Sequence, residues 1–190
     1  MKKLTASLAL LGAILFLSGC AALPRPREME NMALFRTLGV DYEEGYVLTV
    51  STEEEEPLVL TAGGRSLEEA LEGLQLACER RVFLGYVDRL LVGSGVGSAH
   101  LAPVLDKMAR SGELTLGAGT WLVAGRAEEA VRSSPARRLE TLVEGETEFC
   151  SAGSLWSALL EGGSVTVPTL VLEDGLLSPA PAHSLTLSPV

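Results

Sequence analysis

The residues best placed for chemistry stand near the start of the chain, at Leu17-Ser18-Gly19-Cys20. Ahead of them lie a cationic start, Met1-Lys2-Lys3, and an apolar run from Leu8 to Leu17. This run is long enough for the core of a signal peptide, but it is too short to cross a bilayer as a helix, which takes about 20 residues. The segment is therefore typical of a signal peptide that ends at a cysteine, whose thiol could carry a covalent modification.

Small residues directly before a cysteine resemble a bacterial lipobox, with Leu17, Ser18 and Gly19 as the residues that the signal peptidase recognises. The resemblance implies thioether lipidation of Cys20, cleavage before it and acylation of the new amino terminus. One acyl chain holds a protein at a membrane only marginally, whereas two or more anchor it firmly. An ordinary secretory signal with a chance cysteine is the alternative. We therefore expect a protein that faces the outside of the cell and is attached to membrane lipid through Cys20.

A glycine-rich turn from Gly93 to Ser98 follows a predicted strand and precedes a predicted helix, which is where phosphate-binding loops occur. A dinucleotide fingerprint needs its third glycine at position 98, where a serine stands instead. No lysine follows in the position that a nucleotide-triphosphate loop requires. A plain turn is therefore the default interpretation.

Acidic residues and histidines form no recognisable catalytic set. Asp41 could be paired with Asp88 or Asp106, but nothing in their spacing favours a pair of carboxylates, because acids at strand ends are usually solvated or capping. The two histidines, His100 and His183, lack partners at metal-ligand spacing. No nucleophile-elbow, zinc-protease or serine–lysine pattern is present. We therefore expect no catalytic residues, no cofactor and no metal site.

The remaining cysteines and the tryptophans are interpreted as core residues. Outside the cytoplasm Cys78 and Cys150 could pair, but Cys78 falls on the apolar face of a predicted helix, which favours a small buried side chain. Two cysteines without histidine partners do not make a metal site. Trp121 in a predicted strand and Trp156 on a predicted helix are expected to pack in the core.

The charge of the chain excludes some partners. Its formal net charge is −10, and loss of Lys2 and Lys3 with the signal peptide makes the mature part −12. An acidic protein gains nothing from phosphate backbones or anionic headgroups, so we expect no nucleic-acid partner. The run from Glu53 to Glu56 has no interspersed ligands or turn glycine, so it is interpreted as a solvated hairpin tip and not as a cation site.

Strands and helices alternate along the mature chain. Strands are expected at Tyr46 to Thr52, Leu58 to Thr61, Asp88 to Val92, Leu114 to Ala124 and Val165 to Leu172. Helices are expected from Ser66, around Pro103, from Ala127 to Arg132, and from Ser154. This alternation predicts a single α/β domain in which helices flank a mixed, partly parallel sheet.

The chain divides into four predicted parts. Residues 1–19 are the lipoprotein signal peptide and residues 20–27 a lipid-anchored tether. Residues 28–175 form the α/β domain, and residues 176–190 are a proline-containing tail or linker with no core of its own.

Four local signals refine the prediction. Ser66 with Glu69 makes a capping box at the start of a helix. Pro103 suits the first turn of its helix, and Ser154 can cap the last helix. Pro168 weakens the strand that contains it and so predicts an edge position.

Several stretches carry a family resemblance when they are taken in order. They are Arg27 to Ala33 with Leu38 to Asp41, Ser66 to Ala70, Leu90 to Gly93, Leu105-Asp106 with Arg110, Trp121 to Val123, and Ala127. Together with the lipobox, they resemble the lipoprotein C subunit of bacterial spore-germination receptors, the Ger(x)C family. The similarity covers roughly residues 20 to 132, with Tyr86 standing where the family pattern has a histidine.

The resemblance implies a mature protein of three α/β domains on the outer face of the spore inner membrane. There it would work beside two integral-membrane subunits, A and B, in a complex that senses germinants. We expect this chain to supply the first domain, as a fragment, a truncated paralogue or a degenerate copy, and to have no enzyme activity. The alternative is a ligand-binding or hydrolytic cell-envelope lipoprotein that uses a cleft near Gly93 to Ser98, since ligands of parallel sheets gather at the carboxyl ends of the strands.

Overall fold

The described residues of the computed structural model are 29–111, 115–133 and 150–187. Residues from Met32 onward form one compact unit. The described part of the other unit, Met1–Asn31, is a 3₁₀ helix at Met29–Asn31.

Nine strands in the described residues form two sheets. They are β1 (Met32–Leu34), β2 (Thr37–Tyr42), β3 (Tyr46–Ser51), β4 (Val59–Gly64), β5 (Arg81–Phe83), β6 (Arg89–Gly93), β7 (Gly119–Val123), β8 (Ser164–Glu173) and β9 (Leu176–Thr186). β1 and β5 pair in parallel, and the other strands form one sheet in the order β4-β3-β2-β6-β7-β8-β9. Strands β2, β6, β7 and β8 run parallel, whereas β3, β4 and β9 pair antiparallel with their neighbours. The predicted mixed, partly parallel sheet is confirmed.

Helices cover both faces of the large sheet. The α-helices of the described residues are α1 (Leu67–Leu76), α2 (Ser98–Ser111), α3 (Ala127–Ser133) and α4 (Ala152–Glu161). Buried residues of α1, α2 and α4 belong to the larger core, and those of α3 belong to a smaller core. Along β6, Leu90 and Val92 enter the larger core and Leu91 the smaller one, so both faces of this strand are covered. This explains why residues 90–93 of β6 are an unbroken apolar run.

The final strand corrects the prediction of a tail. Residues 176–186 form β9, which pairs along β8, and Leu177 and Leu187 are buried. The register between the two strands shifts by one residue, so Leu177 packs in the smaller core while Leu185 packs against the larger one. A shift of one residue moves the following side chains to the opposite face of a sheet. Prolines are tolerated here because β9 is an outer strand.

Pro168 does not place its strand at an edge, because β8 lies between β7 and β9. The proline stands where the register with β9 shifts, between Val167 and Thr169. On the other side of β8, only Thr169 and Leu170 pair with β7. The missing N–H therefore falls at an interruption of the ladder, where it costs no regular hydrogen bond.

The starts of α1 and α2 were predicted with different success. The Ser66 hydroxyl accepts a hydrogen bond from the Glu69 N–H at 3.1 Å, as the capping box requires, but the Glu69 carboxylate accepts from the Arg65 N–H and not from Ser66. Helix α2 begins at Ser98, so Pro103 lies inside the helix and not in its first turn. The carbonyl that the proline leaves without its helical donor belongs to exposed Ala99, which water can reach.

Helix α4 begins earlier than Ser154, because Ser151 is its N-cap: the Ser151 hydroxyl accepts from the Ser154 N–H at 3.1 Å. We expect Ser151→Ala to lower the free energy of unfolding by about 1 kcal/mol, the usual cost of a lost cap. Ser154→Ala, which removes only a contact between two hydroxyls, should change it by about 0.3 kcal/mol or less. Urea denaturation measures both, and a larger effect at Ser154 would contradict the assignment.

Candidate functional site

The carboxyl ends of β2 and β6 meet beside the start of α3, and Asp41 lies at their junction. The Asp41 side chain is buried, with 4% of its surface exposed. Its Oδ1 accepts a hydrogen bond from the Ala127 N–H at 2.8 Å, and its Oδ2 accepts one from the Glu128 N–H at 2.8 Å. A carboxylate at this position satisfies two N–H groups that the helix leaves without partners, and it lies at the positive end of the helix dipole.

Glycines make room for this junction. A Cβ at Gly93 would lie 1.9 Å from Asp41 Oδ1 and 3.2 Å from the Ala127 nitrogen. A Cβ at Gly39 would lie 2.9 Å from Val131 Cγ2. The two glycines therefore let the carboxylate and α3 approach the sheet closely, which a side chain on either strand would prevent.

The electrostatics of Asp41 reflect two opposing influences. Burial raises the pKa of the Asp41 carboxyl above its ordinary value. The N–H groups of Ala127 and Glu128 and the charge of Arg126 act in the opposite direction. Both carboxylate oxygens are already hydrogen-bonded to backbone, so the arrangement is suited to holding a helix in place and not to transferring a proton.

The glycine-rich turn is held by hydrogen bonds within the protein. The Ser94 N–H donates to the Gly125 carbonyl at 2.9 Å, and the Val96 N–H donates to the Gly93 carbonyl at 3.0 Å. The Ser94 hydroxyl donates to the same Gly125 carbonyl at 3.2 Å. These N–H groups are occupied, whereas a phosphate cradle needs free ones. The bonds fit the interpretation of residues 93–98 as a plain turn.

Three aromatic rings pack next to this turn. The rings of Tyr42 and His100 stack with centroids 3.5 Å apart, and Tyr46 meets Tyr42 edge-on at 5.1 Å. The Tyr46 hydroxyl donates to the His100 carbonyl at 2.9 Å, and burial raises the pKa of that hydroxyl, so it stays protonated. No local pattern marks this cluster in the sequence, because the stacked residues are 58 positions apart.

Asp88 lies at the opposite end of the parallel strands, in a network of four charges. The Arg36 guanidinium contacts both Glu53 and Asp88, and Glu53 Oε1 accepts from Arg89 at 3.0 Å. Arg89 is 4% exposed, and its Nε lies 3.6 Å from Asp88. Asp88 is therefore separated from Asp41, so the two carboxylates do not pair.

The other residues singled out in the sequence are scattered through the fold. Asp106 pairs with Arg110 at 2.6 Å on α2, and His183 lies opposite Val167 on β9. Trp121 is buried in the smaller core, and Trp156 is partly buried against the larger one, as expected.

The described cysteines are both free. Cys150 is buried, and burial raises the pKa of its thiol to about 11, so it carries no thiolate at neutral pH. Cys78 is half-buried and lies beyond the last residue of α1, against the larger core. The lipobox residues Leu17, Ser18, Gly19 and Cys20 lie outside the described residues.

The described residues contain neither a metal-binding group nor a membrane-spanning helix. No group of three or more His, Cys, Asp or Glu side chains in these ranges could hold a metal ion. None of the helices described above is long and apolar enough to cross a membrane.

Comparison with known families assigns the chain to a protein family. Residues 25–170 match the family described as the spore germination protein N-terminal domain. The chain belongs to this family. The resemblance seen in the sequence is thereby confirmed, and the match extends beyond residue 132 through α4 and most of β8. No curated protein and no solved structure gives a significant match.

Membership in the spore germination family gives the chain a role in germination. The junction at α3 explains several of the sequence stretches on which the family resemblance rests. Leu38 to Asp41 supplies the glycine that α3 approaches and the carboxylate that caps it. Leu90 to Gly93 supplies the second glycine, and Ala127 is the first residue of the capped helix. These stretches therefore fix α3 on the sheet.

Proposed function

We propose that this chain is a lipid-anchored, non-enzymatic C subunit of a spore germinant receptor, to which it contributes the N-terminal domain. The family match over residues 25–170 carries the proposal, and the lipobox at residues 17–20 supports the anchor. Acylated Cys20 would hold the domain to membrane lipid on the outer face of the spore inner membrane. The integral-membrane A and B subunits would be its partners in germinant sensing.

The geometry of the sheet edge favours this role over a hydrolytic one. Both carboxylate oxygens of Asp41 accept hydrogen bonds from the backbone of α3, and the N–H groups of Ser94 and Val96 are bonded within the protein. A hydrolytic site needs a base or nucleophile that can reach a substrate. This edge therefore supports a domain that works by presenting a surface, and the rival interpretation of a ligand cleft near Gly93 to Ser98 gains no support from it.

We expect Cys20→Ala to release the protein from the membrane fraction and to weaken germination, because the acyl chains attach through that sulfur. Membrane fractionation of spores, combined with mass spectrometry of the mature amino terminus, measures the effect. Wild type should show cleavage before Cys20 and the added mass of the lipid. Cys78→Ala is the matched control, since it removes a free thiol on the folded domain and should leave the protein in the membrane fraction.

Two results would count against the proposal. An unmodified sulfur, or an intact leader on the mature protein, would exclude the lipid anchor. Unchanged germination in spores from which Cys20→Ala has demonstrably left the membrane would exclude the receptor role at that membrane. Cross-linking to two multi-spanning membrane proteins in spore membranes would support the A and B subunits as partners.

A further inference from the structure

Among the described residues, no strand pairs with the outer side of β4, which is an edge of the large sheet. β4 pairs with β3 on one side and is the last strand of the sheet on the other. The Leu58 carbonyl accepts a hydrogen bond from the Thr52 N–H, which marks those two residues as a hydrogen-bonded pair. In an antiparallel ladder such pairs alternate with pairs whose N–H and C=O groups point away from the partner strand.

The register therefore identifies which groups face the open side. Val59 pairs with Ser51, Thr61 with Thr49 and Gly63 with Val47, and these are the non-hydrogen-bonded pairs. The Thr49 and Thr61 hydroxyls lie 3.1 Å apart, as expected for the closer side chains of such a pair. The N–H and C=O groups of Val59, Thr61 and Gly63 thus form a row along the outer edge, about 14 Å long at 3.4 Å per residue.

The two outer strands of this sheet differ in how they are protected. β9 carries Pro179 and Pro181 and a shift of register, which are common means of blocking an edge. β4 has the sequence Val-Leu-Thr-Ala-Gly-Gly, with no proline and no charge. An uncharged strand with a regular ladder is a template for an additional strand.

The surroundings of β4 are acidic. The turn before it exposes Glu54 to Glu56. Helix α1 packs directly on β4, since a Cβ at Gly64 would lie 2.4 Å from the Ala70 nitrogen, and α1 exposes Glu68, Glu69 and Glu72. Bases at the strand are Arg65, which follows it, and Arg132 of α3, which donates to the Thr61 hydroxyl at 2.7 Å and is paired with Glu128 at 3.1 Å. Two copies of β4 side by side would bring these carboxylates together, and like charges on neighbouring strands are destabilising.

We propose that the open edge of β4 binds an extended, positively charged segment of a partner protein as an additional strand. The row of backbone groups at Val59, Thr61 and Gly63 supplies the hydrogen bonds, and the carboxylates on both flanks select basic side chains. The row of backbone groups is separate from Asp41, Gly39 and Gly93 at the junction, although the Thr61 side chain contacts Arg132 of α3, and the row does not depend on the lipid anchor.

The test uses the ¹⁵N-labelled full-length chain in detergent micelles and a seven-residue probe peptide of alternating lysine and valine, blocked at both ends. Amide hydrogen exchange is followed by NMR. At a peptide concentration ten times the dissociation constant, exchange at Val59, Thr61 and Gly63 should slow about tenfold. The amides of Leu60 and Ala62 already bond to β3 and should not change.

Three matched controls separate strand addition from other binding. The same peptide with glutamate in place of lysine should not protect these amides, and neither should a lysine peptide that is N-methylated at alternate residues. Thr61→Pro removes the central outward N–H and should abolish protection at Val59 and Gly63, whereas Thr61→Val, which loses the same hydroxyl, should retain it.

Several outcomes would overturn the proposal. They are the absence of protection with the lysine peptide, equal protection by the acidic peptide, and equal protection by the N-methylated one. Protection that rises with protein concentration without any peptide would show that a second copy covers the edge instead. Should Thr61→Pro fail to fold, the N-methylated peptide still tests the same strand pairing, because it removes the N–H donors of the peptide.

Discussion

Gly93→Ala is expected to lower the free energy of unfolding by about 3 kcal/mol or more, because the new Cβ would occupy the position of the Asp41 carboxylate. The distance of 1.9 Å from this Cβ to Asp41 Oδ1 is too short for any relaxation that leaves the carboxylate in place. Overpacking costs about 1–3 kcal/mol, and displacing the carboxylate also breaks its two bonds to α3, each worth about 1.5–3 kcal/mol. Chemical denaturation of the full-length chain measures the change.

Gly97→Ala is the matched control in the same turn. A Cβ at Gly97 meets nothing within 4 Å and its φ is not positive, so this variant should cost no more than about 1 kcal/mol, the scale of a weakened cap, because Gly97 directly precedes α2 and its carbonyl accepts from the Leu101 N–H. A double-mutant cycle sharpens the test: in an Asp41→Ala background, Gly93→Ala should lose most of its cost. Equal costs in the two backgrounds would show that the carboxylate is not what excludes the side chain.

Local patterns in the sequence were sufficient for α1 and β6. Ser66 and Glu69 mark the start of α1, and its apolar residues recur at helical spacing, because caps and amphipathic faces depend on residues close in the chain. The apolar run of Leu90 to Gly93 has no polar face, which is typical of a strand covered on both sides. These elements led directly to the α/β class.

Strand β9 and the cap of α4 depend on contacts that a local pattern does not contain. Pro179 and Pro181 favour a tail when the segment is considered alone, and β8 makes it a strand by pairing along most of its length. Ser151 and Ser154 are both suitable caps by residue type. The choice of Ser151 follows from its position beside the first residue of β7, since Gly119 forms an isolated bridge with Ser151 and the helix starts directly after it.

The junction at α3 was predictable only in general terms. An acid at a strand end is usually solvated or capping, and Asp41 proves to be capping. However, the N–H groups that it binds lie 86 and 87 residues further along the chain, whereas sequence patterns for caps rely on a spacing of three. The stacking of Tyr42 on His100 is equally remote in sequence and left no signal.

The acidic run shows a similar limit, because its four glutamates do not share one environment. Glu54, Glu55 and Glu56 are exposed, as the prediction of a solvated hairpin tip requires. Glu53 is more buried than the other three, with 27% of its side chain exposed, and it contacts Arg36 and Arg89. The difference follows from position, since Glu53 is nearest to β3 and lies beside the start of β6.

Glu53→Ala is therefore expected to lower the free energy of unfolding by about 2 kcal/mol. The variant takes one carboxylate away from Arg89, which is 4% exposed and keeps Asp88 at 3.6 Å, and removing part of the charge that balances a buried guanidinium is costly. The full loss for a buried pair is about 3–5 kcal/mol, and the partial exposure of Glu53 lets water compensate for part of it. Glu53→Gln, which keeps a hydrogen-bond acceptor for Arg89 but removes the charge, should cost about half as much.

Glu55→Ala provides the control, because it removes the same carboxylate two positions along from an exposed site and should change the free energy of unfolding by less than about 0.5 kcal/mol. The two variants should also differ in their response to salt, since exposed charges are screened at 1 M salt while partly buried pairs are screened much less. The cost of Glu53→Ala should thus persist at high salt. Equal, small costs for Glu53→Ala and Glu55→Ala would mean that the four-charge network contributes no more to stability than an ordinary surface ion pair.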